Sequence, residues 1–163
     1  MQQKSKKLRQ KTLGRRRQSR ELALQLLYCI EITGQTYKET TKSYTRIHDI
    51  PNKMPIGDFT KTLIKAVMDH LLEADRSLQD VITNWRMERL SHIDRNLLRL
   101  AACEIYYFEE IPPKVTINEY IEIAKDFGDD DSPSFINGIL DRIAKDSPKG
   151  KKNKDMGNAG GGT

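Results

Sequence analysis

Cysteine is scarce in this sequence, long apolar runs are absent, and no recognisable catalytic pattern occurs; each shortage closes off a class of protein. Cys29 and Cys103 are the two cysteines, 74 positions apart. That separation fits neither a metal motif nor a disulfide framework, so a reducing, cytoplasmic compartment is expected, with both residues acting as small buried hydrophobes. The most apolar stretch, Leu97 to Phe108, is broken by Arg99 and Glu104 and falls short of the roughly 20 residues a bilayer demands. No apolar run follows the basic N-terminus before Leu22, so neither a membrane span nor a secretory signal is expected. His48, His70 and His92 belong to no HExxH or CxxC pattern and read as structural histidines. Asp129, Asp130 and Asp131 lack the alternating ligand spacing and distal Glu of a calcium loop. With no glycine-rich phosphate loop and no nucleophile elbow, no catalytic residues, metal or cofactor are expected, and the chain reads as a binding protein.

What is present is an uneven charge on a chain of 163 residues, the size of one domain. Residues 1–20 hold nine Lys and Arg and no acid, residues 21–148 hold 15 basic and 22 acidic side chains, and residues 149–163 hold four and one. An acidic globule therefore carries a strongly cationic N-terminal segment and a smaller basic tail. Two readings stand: attraction to a polyanion such as nucleic acid, or a solubilising or targeting arm.

Periodicity predicts an all-α fold. Residues 1–14 lack it and are expected to be a disordered arm. From Arg15, the spacing of Leu22, Ala23, Leu26, Leu27 and Ile30 predicts a helix ended by Gly34, with its arginines in the first turns facing the positive end of the macrodipole. Residues 35–57 read as a loop or one weak helix. Phe59 to Ala74 and Leu78 to Trp85 give two further stripes with a break near Asp75. Ser91-His-Ile-Asp94 has capping-box spacing ahead of Ile93, Leu97, Leu100, Ala101, Ile105 and Phe108, which predicts the most buried helix. Pro112-Pro113 opens a helix that Gly128 stops at C′, and Ser132-Pro133 serves as N-cap and N1 of the last one. Asn137-Gly138 is also a hairpin signature, but Phe135, Ile136, Ile139, Leu140, Ile143 and Ala144 keep helical spacing through it. Glycine there costs about 1 kcal/mol relative to alanine, so Gly138 is expected to admit a close helix or ligand. The expected organisation is a basic arm over 1–14, a helical domain over 15–146 and a flexible Lys/Gly-rich tail over 147–163.

Arg15, Arg16, Arg17 and Arg20 form a cationic cluster able to track phosphates. Phe127 and Phe135 flank the loop around Asp131 and Ser132 and have two readings, core packing or stacking on single-stranded bases.

Three separate stretches carry a resemblance. Arg15-Arg-Arg-Gln-Ser-Arg-Glu-Leu-Ala-Leu-Gln-Leu-Leu-Tyr28, then Ile93-Asp-Arg-Asn-Leu-Leu-Arg-Leu-Ala-Ala-Cys-Glu104, then Ile111-Pro-Pro-Lys-Val-Thr-Ile-Asn-Glu119 with Ala124-Lys-Asp-Phe-Gly128 and Asp131-Ser-Pro-Ser-Phe-Ile-Asn-Gly-Ile-Leu-Asp141 resemble the NusB family of bacterial transcription antitermination factors. The resemblance implies two packed helical subdomains of about six to seven helices, no catalysis, and binding of boxA-type single-stranded RNA of ribosomal-RNA transcripts together with ribosomal protein NusE in a transcription elongation complex. Carried to matching positions, it implies that Arg15, Arg16, Arg17 and Arg20 meet RNA phosphates. It puts Phe127, Asp131, Ser132 and Phe135 at the base-binding surface, and Tyr28 and Asp94 against NusE. Departures occur at Cys103, where Tyr is common in the family, at Tyr120, where Ala is common, and at Ser134, which replaces a frequently basic residue. Three rivals stand beside this reading: a protein-interaction scaffold, a generic RNA-binding module using the arm, and the RNA-binding part of a ribosomal-RNA cytosine methyltransferase.

Overall fold

The computed structural model describes the backbone of residues 2–47, 56–84 and 86–151 and the side chains from residue 15 onward; His48, Pro51, Pro55 and Trp85 lie outside the described residues. Among these residues every regular element is helical: α1 Gln2–Thr33, α2 Tyr37–Ile47, α3 Asp58–Asp69, α4 Leu71–Val81, a 3-10 turn Met87–Arg89, α5 His92–Tyr107, α6 Pro113–Phe127 and α7 Ser132–Asp146. The chain divides into two compact units, Met1–Lys65 and Ala66–Thr163.

In the first unit α1 starts at Gln2, not near Arg15, so the backbone is helical where a disordered 1–14 arm was expected. Long Lys, Gln, Leu and Arg side chains without branching at Cβ favour the helix, and extending an existing helix needs no new nucleus. The arginines consequently sit within the helix, and the macrodipole penalty expected of them does not arise. Gly34 ends α1 in the left-handed conformation at φ 67, its N–H reaching Ile30 O at 2.9 Å. Helix α2 is opened by a full capping box: the Glu39 amide donates to Thr36 Oγ1, and the Thr36 amide donates to Glu39 Oε2 at 2.8 Å. It packs against α1, where Tyr44 OH donates to Gln25 Oε1 at 2.8 Å. Thr60 in the first turn of α3 is buried and donates to Ser19 O at 3.1 Å, tying that turn to α1.

The second unit is built around α5, which packs against α4, α6 and α7. Leu97, Leu100, Ala101 and Ile105 are fully buried, as the apolar stripe predicts, and so are Leu98 and Ala102 outside it, whereas Ile93 of the stripe is half-buried. Each leucine so placed contributes about 1.5–3 kcal/mol of burial. Two polar pairs tie this core together. The fully buried Glu104 carboxylate accepts from Thr116 Oγ1 at 2.8 Å and Tyr120 OH at 3.3 Å, joining α5 to α6. Arg99 grips Asp75 through two bonds of 2.7 Å, joining α5 to α4.

The break expected near Asp75 falls at His70 instead, where φ is −120 and ψ 22. His70 stacks on Tyr107 with ring centroids 3.9 Å apart, and its Nδ1 lies 3.0 Å from Glu73 Oε2. The Ala74 amide still reaches His70 O, so the chain kinks rather than stops. Helix α7 runs unbroken through Asn137-Gly138, and no hairpin forms.

Two glycine expectations change. Gly128 does cap α6 through a 2.9 Å bond to Ala124 O, but at φ −91 it is not left-handed. Its reason is space: a Cβ there would lie 2.6 Å from Ser132 Cβ and Oγ. At Gly138 a Cβ would meet nothing within 4 Å, so among the described residues no helix closes on it.

Order also continues past the expected start of the tail at residue 147. Ser147 is fully buried, its Oγ accepts from the Gly150 amide at 3.2 Å, and residues 148–151 form a helical turn. Serine followed by proline is a helix-start signal, as at Ser132-Pro133. Lys149 Nζ then donates to Phe108 O at 2.6 Å and Ile111 O at 3.0 Å, across the corner between α5 and α6. Of the cysteines, Cys103 is buried as expected, whereas Cys29 is half-buried; both are free thiols.

Candidate functional site

The cationic cluster lies on α1 of the first unit. Arg15 is exposed, Arg16 and Arg17 are half-buried, and Arg20 is 1% exposed. The expectation that all four present charge to a phosphate is corrected at Arg20. Its guanidinium carbon lies 5.2 Å from the centre of the Phe59 ring, and that of Arg16 lies 5.0 Å from the same ring. A cation over an aromatic face is held by the ring quadrupole. Arg20 is spent on packing, and Phe59, which sequence reasoning missed, orients Arg16. Tyr28 lies further along α1, 37% exposed.

The second unit holds the other set. Phe127, the last residue of α6, and Phe135 in the first turn of α7 are both half-buried. Between them Asp131 is exposed and Ser132 buried. Ser132 was expected to be the N-cap of α7. It is the helix's first residue, Asp131 taking the cap position, and its Oγ accepts backward from the Asp129 amide at 3.0 Å. Its hydroxyl therefore holds the loop.

An open groove of about 590 Å³ brings several of these together: Asp94, Asp131, Ser132 and Phe135 line it with Arg89 and Ser91. Phe127 is not part of that lining. Asp94 reaches the groove from the first turn of α5. Its amide donates to Ser91 Oγ at 3.0 Å, the expected cap, but its carboxylate does not complete the box: Oδ1 is buried with no hydrogen-bond partner among the described residues. A buried carboxylate oxygen without a donor is costly. Arg89, at the end of the 3-10 turn, adds a cation beside the acids of the groove; nothing in its local sequence marks it, because α5 and α7 create the groove by packing. Among the described residues no cluster of His, Cys, Asp or Glu is arranged to hold a metal ion. No helix there is long and apolar enough to cross a membrane.

By fold, then, this is an all-helical protein of two helical units, the second with an open groove lined in part from α5 and α7. The chain belongs to the NusB family, whose family profile matches residues 17–145. It is 41% identical over 129 residues to the transcription antitermination protein NusB of Bacillus mycoides (strain KBAB4), covering 79% of this chain and 96% of that relative. Among solved structures, NusB of T. maritima superimposes with a TM-score of 0.71 at 31% identity, over 85% of this chain and 96% of that one. A crystal structure of the antitermination factors NusB and NusE in complex with double-stranded RNA matches with a TM-score of 0.69 at 25% identity, over 80% of this chain and 96% of that one.

Proposed function

We propose that this chain is a cytoplasmic transcription antitermination factor that binds boxA-type single-stranded RNA of ribosomal-RNA transcripts together with ribosomal protein NusE, as part of a transcription elongation complex. Its family membership, with a relative solved on both NusE and RNA, is the observation that carries the reading. The protein acts by binding and holds no chemistry of its own.

In this reading Arg15, Arg16 and Arg17 meet phosphates, which position an RNA without specifying its sequence. Arg20 contributes indirectly, by sharing the Phe59 ring with Arg16. Phe135 and Phe127 offer faces to unpaired bases, and Asp131, on the loop that Ser132 shapes, accepts from base N–H groups. Tyr28 and the unpaired Asp94 carboxylate face NusE. Because Asp94 and Phe135 line one groove, the two ligands meet there, and linkage makes any mutual tightening reciprocal.

Fluorescence anisotropy tests this with a boxA-type RNA, a scrambled strand and a duplex, at fixed salt, with and without NusE. The expected result is a preference for the boxA strand that tightens when NusE is added, and a loss of about 1–3 kcal/mol for Phe135→Ala. Equal binding to all three RNAs, indifferent to NusE, overturns the reading.

A further inference from the structure

Glycine in the middle of α7 weakens the helix, and among the described residues nothing offsets that weakness. Gly138 is not among the left-handed glycines, and no described neighbour needs the room its missing side chain leaves. A local rule broken without internal compensation points outward, to function.

What Gly138 opens is a second groove, of about 350 Å³, between the C-terminal end of α4 and α7. Ile82, 4% exposed, gives it an apolar floor. Asn84 and Ser134 are exposed at its margin and supply an amide and a hydroxyl. Arg142 Nη1 donates to Val81 O at 2.7 Å, which anchors the guanidinium at the end of α4 while its side chain stays exposed. Ser134, Phe135, Gly138 and Arg142 follow one another at helical spacing, so they form one strip along α7. Phe135 lines this groove and the Asp94 groove alike.

We infer that the second groove holds a further nucleotide of the same single-stranded RNA, next to the one that meets Phe135, its base lying flat over Gly138. The inference rests on the RNA reading proposed above. A flat ring needs a helix face without a Cβ, apolar support beneath it, and hydrogen-bonding groups at its edge, as bases on stacking platforms do. Arg142 supplies the cation that the accompanying phosphate requires. Continuity through Phe135 makes the occupant the RNA strand rather than a separate ligand.

The test is Gly138→Ala, read twice. Thermal unfolding is expected to move upward, since alanine suits a helix better and meets no clash. Anisotropy with a boxA-type RNA is expected to show about tenfold weaker binding. Shortening that RNA one nucleotide at a time from each end is expected to reach a length at which wild type and variant bind alike, which marks the nucleotide held over Gly138. A more stable variant with unchanged affinity for the full RNA overturns the inference, and a parallel loss in Phe135→Ala shows that the RNA reading itself survives. Weaker binding of NusE alone, with RNA affinity intact, overturns it too by assigning the groove to protein. If wild type does not favour boxA-type over scrambled RNA, both fall together.

Discussion

Gly128→Ala sets two physical arguments against each other with opposite signs. At φ −91 alanine is unstrained, and trimming the freedom of the unfolded chain alone would stabilise by about 0.4–1 kcal/mol. The new Cβ, however, would sit 2.6 Å from Ser132 Cβ and Oγ and 2.9 Å from Ala124 O. The Ser132 approach is about 0.9–1.4 Å short of ordinary carbon contact. Ser132 has little room to retreat, being 3% exposed and tied to Asp129 by both its amide and its hydroxyl. Overpacking of this kind costs about 1–3 kcal/mol, so the net expectation is a loss of about 1–2 kcal/mol, or about 3–8 °C in Tm. Urea unfolding followed by circular dichroism measures it, with the slope checked for constancy. Adding Ser132→Gly should recover only part of the loss, because it removes the two nearest atoms together with the hydroxyl that accepts from the Asp129 amide. Gly138→Ala is the internal control, expected to gain up to about 1 kcal/mol. A Gly128→Ala protein as stable as wild type would refute the claim that this glycine is present for space.

Further outcomes follow from the same structure. Arg20→Ala should cost about 1–2 kcal/mol through the lost contact with Phe59, whereas Arg15→Ala should stay within about 0.5 kcal/mol; equal urea midpoints for the two would show that Arg20 is not packed as described. Tyr28→Asp should leave unfolding unchanged and weaken NusE binding, so an unaltered NusE affinity removes that residue from the interface. Burial, joined by the hydrogen bond its hydroxyl donates to Glu73, pushes the Tyr107 phenol up to about 12 from the usual 10. Between those values the folded protein keeps a proton that the unfolded chain releases, so this contribution to stability is full below pH 10 and lost as pH rises towards 12. In a tyrosinate absorbance titration Tyr107→Phe should remove the late-titrating ring; a wild-type curve with no such component contradicts it. Burial also raises the Cys103 thiol to about 12, so a thiol reagent at pH 8 should modify Cys29 in the native protein and Cys103 after denaturation. Equal rates for both would contradict that placement.

Helix α5 was readable because its signals are local and agree: a serine cap, a helical stripe and a following Pro pair. Helix α2 was not, although Thr36 and Glu39 carry a capping-box signature. Thr40 is its one buried residue, so no apolar stripe advertises it. The break at His70 escaped for another reason. Asp75 looks like a helix breaker in isolation, yet Arg99 neutralises it from α5, while the kink at His70 accompanies stacking on Tyr107. The site divides the same way. Asp94, Asp131 and Phe135 could be singled out by residue type and resemblance, but their meeting in one groove, the burial of Arg20 and the presence of Arg89 depend on packing between distant segments.

The bond from Lys149 gives the residues just after α7 a role in holding the second unit together. Helix α7 ends at Asp146, yet the carbonyls of Phe108 and Ile111 are joined by the ammonium of a residue beyond it. That corner sets the direction in which α6 leaves α5, and α6 carries the loop that shapes the groove. A chain shortened to Asp146 would keep all seven α-helices and lose the tie, whereas one ending after Lys151 would keep both. The loop beside the groove is thus tied, through α6, to a residue far outside it.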